Sequence, residues 1–209
     1  MIAIVNYGSG NIQAIGNIFS RLRVPFVFAS RPEELQDVER IVLPGVGAFD
    51  QAMEELERSG MRRALDRAAL EDRKPVLGIC VGMQLLACSS EEGYAKGLGW
   101  IDGTVKKFVN TRHGDVVRLP HMGWNTIEPT RPTPLFEGID LQTGYYFLHS
   151  YYFSCDIQEE ILANTHYGSS FASVVQKANI CGVQFHPEKS HQSGIDLLKN
   201  FAACQRLDS

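Results

Sequence analysis

Cys80 lies between glycines in Gly78-Ile79-Cys80-Val81-Gly82, and His186-Pro187-Glu188 follows far downstream. A cysteine sulfur attacks carbonyl carbon well once its proton has been taken, and a histidine is the side chain best matched to taking it near neutral pH. A carboxylate two residues beyond that histidine can hold the ring in one tautomer and orientation. Together the three define an acyl transfer. The Cys80 thiolate attacks, His186 protonates a departing amine or ammonia, and the same imidazole then activates water to hydrolyse the thioester. The developing oxyanion needs donors. The amide of Val81, next after the nucleophile, is one; the second is expected from Pro44-Gly45-Val46-Gly47, at Val46, and losing such a donor costs about 3 kcal/mol in the barrier.

The elements around Cys80 suit this role. The apolar run Pro75 to Ile79 predicts a strand that delivers the cysteine to a sharp turn, and a helix-like segment follows. Flanking glycines relieve the crowding of such a turn, and the first amides of the next helix, lacking partners, favour negative charge on the sulfur. The first ninety residues have an α/β rhythm: strands at Ile2 to Asn6, Phe26 to Ala29 and Ile41 to Leu43, a helix from Asn11 to Arg23, and a long helix carrying Phe49, Met53, Leu56, Met61, Leu65 and Ala68. In open sheets of this kind sites form beyond the carboxyl ends of the strands.

From Leu98 onward the pattern changes to strands and turns. Strands are expected over Trp100 to Val109, Val116 to Ile127, Tyr145 to Phe153 and Ile161 to His166. A hairpin joins Ala172 to Lys177 with Ile180 to Phe185 near Ala178-Asn179, its second strand ending at His186, and a closing helix runs from Ser193 to Cys204. The fold class expected is α/β: an open, mostly parallel sheet flanked by helices, with an antiparallel extension. One domain over residues 1–209 accounts for the length.

Composition narrows the function. The net charge is −4, and the short basic pairs Arg62-Arg63, Arg73-Lys74 and Lys106-Lys107 are interrupted by acids, so nucleic acid is not an expected partner. There is neither a signal-peptide pattern nor a membrane-length apolar run, and a cytoplasmic location is expected. The five cysteines show no CxxC pair, and the histidines other than His186 (His113, His121, His149, His166 and His191) show no ligand spacing, so no metal and no cofactor are called for. Those histidines are expected at the surface or in hydrogen bonds. Gln84, one turn after Cys80, would face the same mouth and could bind a polar substrate.

At these residues the chain resembles the class I glutamine amidotransferases, in Gly78-Ile79-Cys80-Val81-Gly82-Met83-Gln84 and in Gly182-Val183-Gln184-Phe185-His186-Pro187-Glu188. Three further segments are similar to the branch that supplies the glutaminase subunit of imidazole glycerol phosphate synthase in histidine biosynthesis: Asn6 to Asn11, Leu43 to Phe49, and Pro120-His121-Met122-Gly123-Trp124-Asn125. The resemblance implies a flavodoxin-like amidotransferase fold and hydrolysis of L-glutamine by Cys80, His186 and Glu188. It implies glutamine held by Gly47, Gln84 and Glu92 with backbone from Ser150 and Tyr151. It also implies a heterodimer with a (β/α)8-barrel cyclase, contacted near Asn11, Trp124, Asn125, Tyr146 and Lys189, through which ammonia travels to a phosphoribosyl-bearing substrate. Val81 stands where a leucine is usual, and its backbone is the functional part.

Three other readings compete. A glutaminase feeding pyridoxal phosphate synthesis would share the triad but not the His121 to Asn125 segment. A cysteine peptidase on the same scaffold commonly has its histidine close behind the nucleophile, and none occurs here between Cys80 and His113. A noncatalytic module would have no need of all three triad side chains.

Overall fold

The computed structural model describes residues 1–108, 118–204 and 207. Its first half follows the α/β rhythm closely: β1 (Ile2–Val5), α1 (Ile12–Arg21), β2 (Phe26–Ala29), β3 (Arg40–Gly45), α2 (Phe49–Arg58), α3 (Met61–Asp66), β4 (Val76–Cys80) and α4 (Val81–Gln84). The fully buried runs of β1 and β4 are what a parallel sheet covered on both faces requires. The later elements are β5 (Ser89–Ser90), β6 (Gly103–Lys107), β7 (His121–Asn125), β8 (Glu128–Pro129), β9 (Tyr145–His149), β10 (Tyr151–Cys155), β11 (Ile161–Tyr167), β12 (Ser169–Lys177), β13 (Ile180–Val183) and α5 (His191–Ala203).

The main sheet runs β2-β1-β3-β4-β13-β12-β10-β6-β5, with β11 on β12 and β8 on β11. It is parallel from β2 to β13 and antiparallel from β12 out to β6. β13 therefore belongs to the parallel half, beside β4 in the register Gly182 with Gly78 and Val183 with Ile79. The strands ending near Cys80 and His186 are thus direct neighbours. Buried side chains from both halves form one continuous apolar cluster, from Ile2 to Leu207.

Four expected elements differ. The long helix is broken at Gly60, whose φ of +74° ends one helical run and starts another. The helix after Cys80 is a single turn, because the carbonyls of Leu85, Leu86 and Ala87 accept hydrogen bonds from Leu98, Trp100 and Gly99 rather than from the next helical amides. The strand expected from Tyr145 to Phe153 divides at Ser150: β9 pairs with β7 in a separate two-stranded sheet, whereas β10 joins the main one. The strand leading to His186 stops at Val183. The Val109 and Val116 ends of two expected strands, and His113, lie outside the described residues.

Candidate active site

Cys80 occupies a backbone conformation that few residues adopt, with φ 54° and ψ −112°. Holding a non-glycine residue there costs about 1–3 kcal/mol, which the packing around the turn must offset. That packing depends on the absence of side chains. A Cβ at Gly78 would lie 2.6 Å from the Gly82 carbonyl oxygen, and one at Gly82 would collide with the Leu43 carbonyl of β3. The glycines therefore allow β3, β4 and the turn to close on one another, leaving the sulfur at the carboxyl edge of the sheet.

His186 is brought to the same edge by two backbone anchors. Its N–H donates to the Tyr146 carbonyl at 2.9 Å, and the Ser190 hydroxyl donates to its carbonyl at 2.6 Å while accepting from the Tyr146 N–H at 3.0 Å. His186 Nδ1 sits 2.9 Å from Glu188 Oε1, so the other ring nitrogen is left for the Cys80 sulfur. Burial alone would push the ring's pKa down. The hydrogen bonds from Cys80 and Glu188 and their negative charge outweigh it and raise the ring to about 10. The second Glu188 oxygen is buried without a partner among the described residues, so the imidazolium is the charge that balances this carboxylate. The geometry is that of a cysteine–histidine pair with a carboxylate behind the ring.

Cys80 and His186, with Glu188 buried behind the ring, open on a cavity of about 280 Å³ lined by Val46, Gly47, Cys80, Val81, Gln84, Glu92, Pro120, Leu148, His149, Ser150, Tyr151, His186 and Lys189. Every residue expected at the substrate site is on this wall. Gln84 donates through Nε2 to the Tyr151 carbonyl and to Gln184 Oε1, each at 3.0 Å. Gln184 Nε2 in turn donates to the Cys80 sulfur at 3.8 Å, and Leu148 oxygen lies 3.9 Å from that sulfur. One Glu92 carboxylate oxygen accepts from the Phe49 N–H at 2.8 Å, tying it to the start of α2. A larger cavity of about 740 Å³, lined by residues including Thr130, Pro134, Phe136 and Leu141, shares no lining residue with this one.

The expected oxyanion donors differ in state. Val81 begins α4, whose first amides have no intrahelical partner. The Val46 N–H, by contrast, donates to the Ser9 hydroxyl at 2.9 Å, and that hydroxyl donates back to the Val46 carbonyl at 2.9 Å. In this structure the Val46 peptide is spent on Ser9, so Val46 can serve as the second donor only after that peptide turns. Tyr7, from the same β1–α1 loop, donates to the Pro44 carbonyl at 2.8 Å, and burial holds its phenol above the usual value.

Of the residues expected near a partner, Trp124 is 48% exposed and stacks on His191 at 5.0 Å; Tyr146 lies edge-on to Trp124 at 6.3 Å with Lys189 Nζ 5.7 Å above its ring. Asn11 is exposed at the start of α1. Asn125 faces inward, toward His121. Sequence reasoning missed Ser9, Tyr7, Gln184 and His149. A polar residue within a buried apolar strand end was the available signal for Gln184; nothing local marks the others. Among the described residues no group of three or more His, Cys, Asp or Glu side chains converges to hold a metal ion, and no helix is long and apolar enough to cross a membrane.

Comparisons with known proteins agree with this architecture. The model of the "Glutamine amidotransferase class-I" family matches residues 3–204. The imidazole glycerol phosphate synthase subunit HisH of Bdellovibrio bacteriovorus is 50% identical over 202 residues, 97% of this chain and 99% of that protein. The subunit of the same name from Leptospira borgpetersenii is 43% identical over 203 residues, 97% of this chain and 100% of that protein. The solved structure of PurLQS from Thermotoga maritima, 16% identical, superposes with a TM-score of 0.71 over 96% of each chain and shares the fold. The chain belongs to the class I glutamine amidotransferase family, within the branch of imidazole glycerol phosphate synthase HisH subunits.

Proposed function

We propose that this chain, acting as one domain, hydrolyses L-glutamine to glutamate and ammonia and passes the ammonia to a cyclase subunit with a (β/α)8 barrel. The observation that carries the reading is Cys80 and His186, the latter backed by Glu188, on the wall of a cavity shared with Gln84, Glu92, Ser150 and Tyr151. Glutamine enters with its carboxamide toward Cys80. The Glu92 carboxylate offers an acceptor for its ammonium group, and the Ser150–Tyr151 backbone and Gln84 offer polar contacts along its length.

The thiolate forms a bond to the carboxamide carbon, and the carbonyl π pair moves to oxygen. His186 gives its proton to the nitrogen as the C–N bond breaks, releasing ammonia and leaving a thioester. The neutral ring then takes a proton from water. Hydroxide adds to the thioester, the C–S bond breaks, and the new carboxylic acid gives its proton to solvent as glutamate leaves, with the thiolate–imidazolium pair restored. Val81 N–H donates to the oxyanion throughout.

The second donor requires the Val46 peptide to turn from Ser9 toward the pocket. The Pro44-Gly45-Val46-Gly47 segment permits this, since the peptide carrying the Val46 N–H turns about Gly45 ψ and Val46 φ, and Gly45 has no side chain to restrict it. A glutaminase that feeds another chain wastes ammonia if it runs alone, so cyclase carrying its ligand is the state in which the hole completes. Trp124, Tyr146, Lys189 and Asn11 are proposed as the docking surface, with the inward-turned Asn125 supporting that strand from behind, and the cytoplasm as the location.

The experiment mixes the chain with a cognate cyclase and follows glutamate release with and without the ribulosyl substrate. A low rate alone and a sharp rise with loaded cyclase are expected. Equal rates in all three states would sink the coupling, and full glutamine-dependent activity of Cys80→Ala would sink the triad.

A further inference from the structure

β7 has two faces with different fates. Met122 and Trp124 point outward, 64% and 48% exposed, while His121 and Asn125 point inward. His121 lies directly opposite His149 in the two-stranded sheet, and both are buried. Their ring nitrogens meet, with His121 Nδ1 3.0 Å from His149 Nε2.

The direction of every bond in this chain is set by its ends. His149 Nδ1 is 2.8 Å from the Tyr151 carbonyl, which can only accept, so Nδ1 carries the proton. Burial pushes His149 down to about 3 and His121 down to about 4, so both rings are neutral at physiological pH. His149 Nε2 is then an acceptor, and His121 Nδ1 must donate to it. His121 Nε2 is left as an acceptor, facing the Asn125 amide nitrogen at 3.3 Å. That amide is oriented from the other side: its oxygen accepts from the Thr126 N–H at 2.9 Å, and its nitrogen also donates to the His166 carbonyl at 3.0 Å. The His121 ring is clamped between Phe147 at 4.8 Å and Tyr167 at 3.9 Å, near parallel to each.

We propose that His121 and His149 are positioning residues, forming a directed hydrogen-bond chain that ties the partner-facing strand β7 to the Ser150–Tyr151 corner of the glutamine pocket. The inference rests on the glutaminase reading above. It adds that a docked cyclase, by fixing β7, fixes the Tyr151 carbonyl, which Gln84 also uses. The chain acts on glutamine binding and leaves the triad's chemistry alone.

The test uses the complex with cyclase and its ligand. His121→Phe keeps the stack and removes the bond, and His149→Asn keeps a donor for Tyr151 but cannot reach His121. Each breaks the same link, so each is expected to raise the glutamine KM about tenfold, ~1.4 kcal/mol, with kcat within twofold. The double variant is expected to show about the same tenfold rise, because a chain already cut loses nothing more. Ring-nitrogen NMR of the wild-type protein, expected to show Nδ1 protonated and Nε2 bare in both rings, tests the chain's direction whether or not a variant folds. Unchanged KM in both variants, a fall in kcat at constant KM, a hundredfold additive rise in the double variant, or either ring protonated on Nε2 would overturn the proposal. A wild-type complex that turns over no glutamine would instead overturn the glutaminase reading.

Discussion

Two histidine sites flank one cavity and have opposite electrostatics. His186 sits between the Cys80 sulfur and the Glu188 carboxylate and is held protonated to about 10, whereas His121 and His149 sit among Phe108, Phe147, Tyr167 and Phe171 and are driven neutral, to about 4 and about 3. All three rings are almost fully buried. Burial alone therefore decides nothing; the charge of the neighbours does. An imidazole beside two anions becomes an acid that can protonate a leaving group. An imidazole boxed by aromatic rings becomes a fixed dipole with one donor and one acceptor, suited to holding backbone in place.

The largest effect that should separate the sites is catalytic. His186→Asn removes the proton donor, and kcat for glutamine is expected to fall on the order of 10³-fold or more, as does Cys80→Ala, while ammonia-dependent synthesis by the partner persists. Steady-state kinetics in the complex checks this. The paired histidines should move KM instead, so a His149→Asn variant losing kcat as heavily as His186→Asn would erase the distinction. Next comes Glu188→Gln, which keeps the shape of the carboxylate but not its charge. A loss of about 10²-fold in kcat is expected, and the alkaline limb of the pH–rate profile should move below that of the wild type because one of the charges raising His186 is gone.

How far these sites were legible differs for the same reason. The nucleophile turn and the His-Pro-Glu run are local: glycines flanking Cys80 and a carboxylate two residues from His186 announce themselves along the chain. So does the α/β rhythm of β1 to β4, since strands buried on both faces become uninterrupted apolar runs. The His121–His149 bond has no local trace. It depends on β9 leaving the main sheet at Ser150 to pair with β7, and a continuous aromatic run from Tyr145 to Phe153 conceals that division. The single turn of α4 was hidden likewise, because the 97–101 loop takes the carbonyls of Leu85, Leu86 and Ala87 that would have continued it. The Val46 peptide's engagement with Ser9 joins two loops that the sequence keeps apart. If that engagement restrains the oxyanion peptide, Ser9→Ala should raise the basal glutaminase rate of the chain without cyclase severalfold; a basal rate equal to wild type would show that the hydroxyl does not hold the peptide back.

The smallest effect is on stability, and it carries the comparison's sign. A folded His186 raised to about 10 holds its proton across the range where the unfolded ring, near 6.5, has lost it. Its contribution is therefore complete below about pH 6.5 and disappears as pH climbs through about 10. His121 and His149 run the other way. Between about 6.5 and their folded values of about 4 and about 3, the unfolded rings bind protons that the folded rings refuse. Falling pH thus favours the unfolded chain by up to ~1.4 kcal/mol per pH unit for each ring. Urea unfolding of the isolated chain from pH 4.5 to 9.5 measures both limbs. Compared with wild type, His121→Phe should flatten the acid limb and leave the alkaline limb unchanged, and His186→Asn should do the reverse. A His121→Phe chain whose acid limb is as steep as wild type would mean that this ring is already protonated in the folded state. It could then no longer accept from Asn125, and the contrast between the two sites would fail at its source.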